Sequence, residues 1–273
     1  MSEPHNISSA LNQQLIYDAI SPSARAVLEA VEVLQSIDST NDRLLGQSIS
    51  QGQGRICVTE SQLAGRGRRG NDWQSAPHKN IMLSLSWGFS RWPETITGLG
   101  LAVALVAAER LNQDYQLGVK IKWPNDLLID GDKLAGILID VSGNAGDACN
   151  VVIGLGLNVH QPDWSDSDTG YRWCDLHSKG VVLDRNQFIG QLVTDWIGML
   201  QGFELHGFAP LASVWNEHSS YTGMEITVGD GDDCIVGKML GVDDVGALVV
   251  QAHDGSRHSF ADSNVSVRVA AAR

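Results

Sequence analysis

A mixed α/β domain followed by a small, mostly β domain is the fold class that this sequence predicts. Three observations carry it. Apolar runs of strand length recur between residues 31 and 153, bounded by glycine, asparagine and aspartate. Among them lies one long stretch, residues 95–111, with Ile96, Leu99, Val103 and Val106 at helical spacing and apolar residues on most other faces, which reads as a buried helix. After Tyr221 the texture changes to short strands separated by Gly/Asp turns, a pattern that suggests a small closed barrel. The 273 residues are enough for one large domain and one small one.

The elements follow in order. Residues 1–10 are polar and lack an apolar face. Residues 11–20 form a helix, broken at Ser21-Pro22, and an Ala-rich helical stretch continues to residue 30. Residues 31–37 read as a strand entering Asp38-Ser39-Thr40-Asn41, where Ser39 or Thr40 is placed to cap a short helix through Leu44 and Leu45. Residues 56–60 and 81–87 are strands on either side of an arginine-rich loop. Residues 119–123 are a strand ending at Pro124-Asn125-Asp126. Residues 127–129 and 133–141 flank Asp130-Gly131-Asp132, a hairpin signal. Residues 150–153 are a strand running into Gly154-Leu155-Gly156-Leu157-Asn158, and residues 161–180 are rich in turns. Asp184 with Gln187 resembles a capping box opening a helix that presents Phe188, Leu192, Trp196, Leu200 and Phe203. A shorter helix covers residues 208–215. The final strands are residues 225–228, 234–236, 247–250 and 265–267, with turns at Gly229-Asp230-Gly231, residues 243–246 and Asp254-Gly255. The domain boundary is set near Thr222.

Composition excludes several classes. A net charge of −13 argues against a broad nucleic-acid footprint. No apolar run is long enough to cross a bilayer, and the first residues lack the basic and apolar regions of a secretory signal, so a cytoplasmic protein without a membrane partner is expected. Cys57, Cys149, Cys174 and Cys234 are far apart and read as reduced thiols. The histidines form no metal-ligand pattern, so no structural zinc site is expected.

Against that acidic background, Gly65-Arg66-Gly67-Arg68-Arg69-Gly70 is conspicuous. Glycine lets backbone approach a ligand closely, and arginine offers a planar donor fork to carboxylate or phosphate. The segment matches GxGxxG literally, but the dinucleotide fingerprint needs a helix next, and Asn71-Asp72-Trp73-Gln74-Ser75-Ala76-Pro77 is a poor one. RNA-binding arginine–glycine segments are longer, repeated and found in basic contexts. Taken alone, the loop is either an anion site or a solvated surface loop.

The companion motifs each have two readings. Asn125 and Asp126 either hold a turn or face a ligand. Lys133 is either a solvated strand end or a cleft cation. Gly154 and Gly156 are either a plain turn or backbone pressed against a ring system. Ser39-Thr40-Asn41 is either a cap or a set of partners for a polar ring such as a ureido group.

The order of these motifs resembles the biotin protein ligases. The matching series is Asp38-Ser39-Thr40-Asn41, then Glu60-x-Gln62-x-Ala64 and the arginine loop through Trp73, then Lys122-Trp123-Pro124-Asn125-Asp126, then Lys133-Leu134-Ala135-Gly136-Ile137-Leu138, then Gly154-x-Gly156-x-Asn158. The likeness spans residues 31–269. It implies the mixed sheet shared by class II aminoacyl-tRNA synthetases and biotin ligases, flanked by helices and followed by an SH3-like barrel. It also implies a division into an extension (1–30), a catalytic domain (31–221) and the barrel (222–273).

The implied reaction joins biotin and MgATP as biotinyl-5′-adenylate, then transfers biotin to a lysine of the biotin carboxyl-carrier domain of acetyl-CoA carboxylase. By the same resemblance, Arg68 and Lys133 hold the biotin carboxylate and the adenylate phosphate, and Asp126 lies on the acceptor-lysine or metal side. Ser39, Thr40, Asn41 and Gln62 bind the biotin head. Gly65, Gly67, Gly136, Gly154 and Gly156 let backbone lie against the ligand, with Arg66 beside them. Arg66, Arg69, Trp73, Asn158 and Arg268 serve the nucleotide, with Trp73 stacked on adenine. The side chains that hold Mg2+ are not assigned. Only about thirty residues precede the match, too few for the winged helix-turn-helix of many bacterial members, so no DNA binding or repressor activity is expected. A monomer and a homodimer both occur among relatives. The rivals are a lipoate or octanoate ligase sharing the fold, a biotin sensor without catalysis, and a nucleic-acid binder.

Overall fold

A computed structural model describes residues 10–92, 96–143, 147–160, 172–229, 234–261 and 265–270. The reading of residues 1–9 and the turn at Asp230-Gly231 lie outside the described residues.

Seven strands form one mixed sheet. They are β1 (Leu28–Leu34), β2 (Gly54–Thr59), β3 (Ile81–Phe89), β4 (Lys120–Lys122), β5 (Asp126–Ile129), β6 (Asp132–Gly143) and β7 (Cys149–Leu157), in the order β1-β2-β3-β7-β6-β5-β4. Only β1 and β2 run parallel; every other neighbouring pair is antiparallel. The β5–β6 hairpin turns where the sequence predicts it, with Asp130 and Gly131 both at positive φ, as a tight primed turn requires.

Helices cover both faces. Helix α1 (Gln13–Ala19) is capped by Asn12, and the short α2 (Pro22–Arg25) by Ser21. On one face lie α4 (Ile96–Tyr115) and α5 (Arg185–His206), which bury Leu99, Val103, Phe188, Leu192 and Trp196 in the main apolar core. Asp184 caps α5 by accepting from the backbone N–H of Asn186 and Gln187. On the other face lies the short α3 (Thr40–Leu45), capped by Ser39, with Leu44 packed on Cys57 and Val152. Because side chains alternate along a strand, Gly136, Leu138 and Asp140 of β6 share this second face with Gly154 and Gly156 of β7 and Ser84 of β3, as their register pairs require.

One buried ion pair pins the sheet to the helices. Arg185, at the start of α5, donates Nη1 to Glu60 Oε2 at 2.7 Å and Nη2 to Oε1 at 3.1 Å, with both side chains 1% exposed. Glu60 Oε1 also accepts from the Leu11 backbone, tying the segment before α1 to the end of β2.

After α6 (Ala212–His218) comes a five-stranded antiparallel sheet. It contains β8 (Glu225–Val228), β9 (Ile235–Val242), β10 (Leu248–Ala252), β11 (Arg257–Phe260) and β12 (Val267–Val269), in the order β11-β10-β9-β8-β12. It docks on the first domain at defined points. Trp123 Nε1 donates to the Gly246 carbonyl at 3.2 Å, and Thr97 Oγ1 to that of Ala261 at 2.8 Å. Gly246 is required there, since an added Cβ would lie 2.8 Å from Gly98 Cα.

Four expectations need correction. The segment after α2 is strand from Leu28, because it pairs with β2, so the Ala-rich helix stops at Arg25. Gly154 and Gly156 lie inside β7, whose pairing with both β3 and β6 carries the strand through them. β11 was not foreseen; its sequence, Arg257-His258-Ser259-Phe260, has little strand character of its own and is ordered by β10. The last strand sits two residues beyond the expected 265–267.

Candidate active site

A cleft of about 560 Å³ opens on the α3 face of the large sheet. Its walls come from the first turn of α3, the arginine loop, the β4–β5 turn, the middle of β6 and β7, Trp173, and residues 265–267 of the C-terminal segment. The chain thus gathers Ser39, Thr40, Asn41, Gln62, Arg66, Gly67, Arg68, Arg69, Trp73, Asp126, Lys133, Gly136, Gly154 and Gly156 around one space. Gly65, Asn158 and Arg268 do not line it.

One end of the cleft is a network of short polar side chains. Gln62 Oε1 accepts from the Thr40 backbone N–H at 2.9 Å and from its hydroxyl at 3.0 Å. Ser84 Oγ lies 2.7 Å from Thr40 Oγ1 and 2.6 Å from Asn41 Oδ1. Asn41 Nδ2 donates to Asp140 Oδ2 at 2.8 Å. Thr40, Asn41 and Ser84 are all buried, so each polar atom needs such a partner. Asn41 fits only because position 154 is glycine; a Cβ there would collide with its Oδ1.

The arginine loop crosses above this end. Gly67 N donates to Asn71 O at 2.7 Å and Trp73 N to Gly65 O at 2.9 Å, closing the loop on itself. A Cβ on Gly65 would lie 2.6 Å from the Trp73 carbonyl, so glycine is needed for that closure. Arg68–Gly70 form a single 3-10 turn in which Arg69 has φ 58°, and no helix follows, which excludes the dinucleotide fingerprint. The loop arginines differ in their attachments. Arg66 Nη2 bridges Asp42 at 2.6 Å and Asp140 at 2.8 Å. Arg68 Nη1 donates to Asn125 Oδ1 at 3.1 Å, and Asn125 is held by Ile137 of β6.

The other end is cationic and aromatic. Lys133 Nζ pairs with Asp126 Oδ1 at 2.7 Å and lies 5.7 Å and 5.3 Å from the ring centres of Trp73 and Trp173. The two indoles meet edge to face at 5.7 Å. The Trp73 ring lies on the glycine floor: a Cβ on Gly156 would collide with the indole, and one on Gly136 would approach it to 3.1 Å. Trp73 Nε1 is buried without a hydrogen-bond partner. Burial pushes the Lys122 ammonium below the usual lysine range; Asp126 opposes this, and Lys133 and Arg268 add to it. Among the described residues no three His, Cys, Asp or Glu side chains cluster as a metal cage.

Two site expectations change. Asn158 is buried and donates Nδ2 to the Cys174 carbonyl, where it holds the segment carrying Trp173. The floor glycines accommodate Asn41 and Trp73 in the chain itself. Sequence reasoning missed Ser84, Asp140 and Trp173 as parts of the site, gave no role to Lys122, and left Asn125 between a turn and a ligand contact. Asp140 had a readable signal, since it continues the alternation Gly136, Leu138, Asp140. Trp173 had none, because it reaches the cleft by pairing with Lys133.

Comparison with known proteins bears on the same residues. A family model described as the biotin/lipoate A/B protein ligase family matches residues 33–158, and one described as the biotin protein ligase C-terminal domain matches residues 221–268. The chain is 36% identical over 241 residues to the bifunctional ligase/repressor BirA of Escherichia coli, an alignment covering 88% of this chain and 75% of that protein. It is 30% identical over 233 residues to a biotin–[acetyl-CoA-carboxylase] ligase of Mycobacterium tuberculosis, covering 80% and 82%. Its fold matches a solved structure of the biotin protein ligase from Aquifex aeolicus in complex with biotin and ATP, with a TM-score of 0.75, 24% identity, and 89% and 100% of the two chains covered.

Proposed function

We infer the function from one premise: the chain belongs to the biotin/lipoate A/B protein ligase family, as a biotin–protein ligase. It uses biotin and ATP and attaches biotin to a biotin carboxyl-carrier protein. The observation that best supports this reading is the continuity of the cleft, which joins a nest of short polar side chains to a cationic end across a floor of glycines.

The two ends suit the two halves of the first substrate pair. In step one, a biotin carboxylate oxygen attacks the α-phosphorus of ATP, the bond to the β-phosphate oxygen breaks, and pyrophosphate leaves. Both reactants are anions, so fixed cations must offset their repulsion and the charge of the leaving group. Lys133 and Arg68 face that task, with Arg69 and Lys122 lining the same cleft and Arg268, outside its lining, left to approach with the C-terminal segment. Ser39, Thr40, Asn41 and Gln62 take the ureido ring, and the acyl chain runs past Asn41 and Trp73, the side chains that cover the floor glycines. Arg66 is neutralised by two carboxylates, which favours a role at the biotin head over one at the triphosphate. The exposed side of Trp73, with Trp173, offers a surface for adenine.

In step two, the acceptor amine attacks the acyl carbon of the mixed anhydride, AMP departs, and the amide forms with loss of a proton. Asp126 lies where it can accept that proton once an anion has drawn Lys133 away from it. Asp72 and Asp126 line the cleft and are the carboxylates that would meet a Mg2+ ion carried by the nucleotide, which would supply charge neutralisation for the phosphates. The acceptor is the carrier domain of acetyl-CoA carboxylase, and the C-terminal sheet is the SH3-like barrel of the family. Mass spectrometry of that carrier domain after incubation with the protein, biotin and MgATP tests the reading. One added biotinyl group on a single lysine is expected; an unmodified carrier domain would contradict it.

A further inference from the structure

Asp140 sits on the cleft side of β6, four residues beyond Gly136, and its side chain is 22% exposed. Its Oδ2 is shared by two donors that belong to different walls of the cleft. Asn41 Nδ2 reaches it from α3 and Arg66 Nη2 from the arginine loop, each at 2.8 Å. Nothing in the reaction chemistry requires this carboxylate, yet it is the charged terminus of the whole polar nest.

The consequence is a fixed polarity. An amide side chain can point either way, and its neighbours decide which. With an anion at 2.8 Å, Asn41 must present Nδ2 to Asp140; the flipped amide would set its oxygen against the carboxylate. Asn41 Oδ1 then faces Ser84, so the Ser84 hydroxyl hydrogen points to Asn41. Thr40, with a single hydroxyl hydrogen, then divides it between Gln62 Oε1 at 3.0 Å and the 2.7 Å contact with Ser84. Gln62 meanwhile turns Oε1 to the Thr40 backbone N–H, which leaves its Nε2 toward Gly65 and the cleft. A ureido ring carries one acceptor flanked by two N–H donors, so it fits one such arrangement and not its reverse.

We propose that Asp140 is a positioning and specificity-determining residue for the cyclic urea of biotin. It sets the donor–acceptor direction of the Asn41–Ser84 pair and draws Arg66 of the loop over the same end of the cleft. This rests on the biotin–ligase reading above.

The test compares Asp140→Ala, Asp140→Asn and Asp140→Glu with the wild-type chain, by calorimetric titration with biotin and by steady-state adenylation. Loss of a hydrogen bond to a charged group predicts that Asp140→Ala weakens biotin binding and raises the KM for biotin by about tenfold or more. The KM for ATP and kcat at saturating biotin stay within about twofold, since the cationic end is untouched. Asp140→Asn shows a smaller rise, because its amide can still accept, and Asp140→Glu recovers most of the loss. Ser84→Ala moves the biotin KM the same way by a few-fold. A general packing defect would instead lower kcat, raise both KM values and lower the melting temperature together. That pattern, or an unchanged biotin affinity in Asp140→Ala, overturns the proposal. Failure of the wild-type chain to adenylate biotin would sink the underlying reading, while the titration still decides whether Asp140 governs biotin affinity.

Discussion

Two ion pairs in this molecule have the same N···O distance, 2.7 Å, and opposite uses. Arg185 and Glu60 are 1% exposed and sit among further bonds to the Asn80 carbonyl and the Leu11 backbone. Lys133 and Asp126 are 18% and 13% exposed and open on the cleft between two indoles. In the first, both charged side chains are closed off from solvent, with only His78 Nδ1 beside them at 3.7 Å from Glu60 Oε2, so the pair works as a rivet between β2, α5 and the segment before α1. In the second, an incoming anion can compete for the lysine, so the pair holds in place the cation that we propose a substrate takes. The difference lies in solvent access rather than in the strength of the contact. A desolvated pair is costly to break, and an accessible one can exchange partners.

Breaking the core pair should have the largest effect. Glu60→Ala leaves Arg185 charged and buried, which predicts a loss of about 3–5 kcal/mol in unfolding free energy by chemical denaturation. Activity of the fraction still folded should be nearly unchanged. A stability loss under ~1 kcal/mol would remove the contrast.

Breaking the cleft pair from the lysine side should leave stability alone. Lys133→Ala is expected to lower adenylation on the order of 10²–10³-fold with a melting temperature close to wild type. A large loss of stability with modest loss of rate would reverse the assignment of the two pairs.

The comparison sharpens at Trp73, which flanks Lys133 and rests on Gly156. Trp73→Ala should raise the KM for ATP by about tenfold, the size of one lost stacking contact, and leave the biotin KM nearly constant. Equal rises in both would place the indole over the biotin end instead.

The smallest effect concerns Lys122. Burial lowers its pKa below the ordinary lysine value of 10.5. Between the lowered value and 10.5 the unfolded chain binds more protons than the folded one, so stability rises with pH across that window. The charge is lost from the cleft over the same window, so the KM for ATP should climb on the alkaline side before an ordinary lysine titrates. Kinetics of Lys122→Arg across this range should show a flat limb, and persistence of the rise would exclude Lys122 as its source.

Much of the site is legible in the sequence because its parts are local. Ser39-Thr40-Asn41 caps and opens a helix, the arginine loop fills a gap between two strands, and Lys133 lies at the start of the far arm of a hairpin. Each is polar punctuation at an element end, where propensity and pattern speak clearly. What escaped depends on pairing between distant segments. Gly154 and Gly156 look like a strand end, yet β3 and β6 hold them in a ladder on both sides. Ser84 and Asp140 lie inside strands, where alternation gives two faces but does not say which one meets the cleft. β11 owes its form to β10.

The central claim is that the cationic end of this cleft joins a biotin carboxylate to a nucleotide. Exchange of labelled pyrophosphate into ATP tests it most directly, with biotin, lipoate and octanoate supplied in turn. The account predicts exchange with biotin alone, lowered on the order of 10²–10³-fold by Lys133→Ala and retained by Asp140→Ala at saturating biotin. Exchange supported only by lipoate or octanoate, or none with biotin bound, would contradict it.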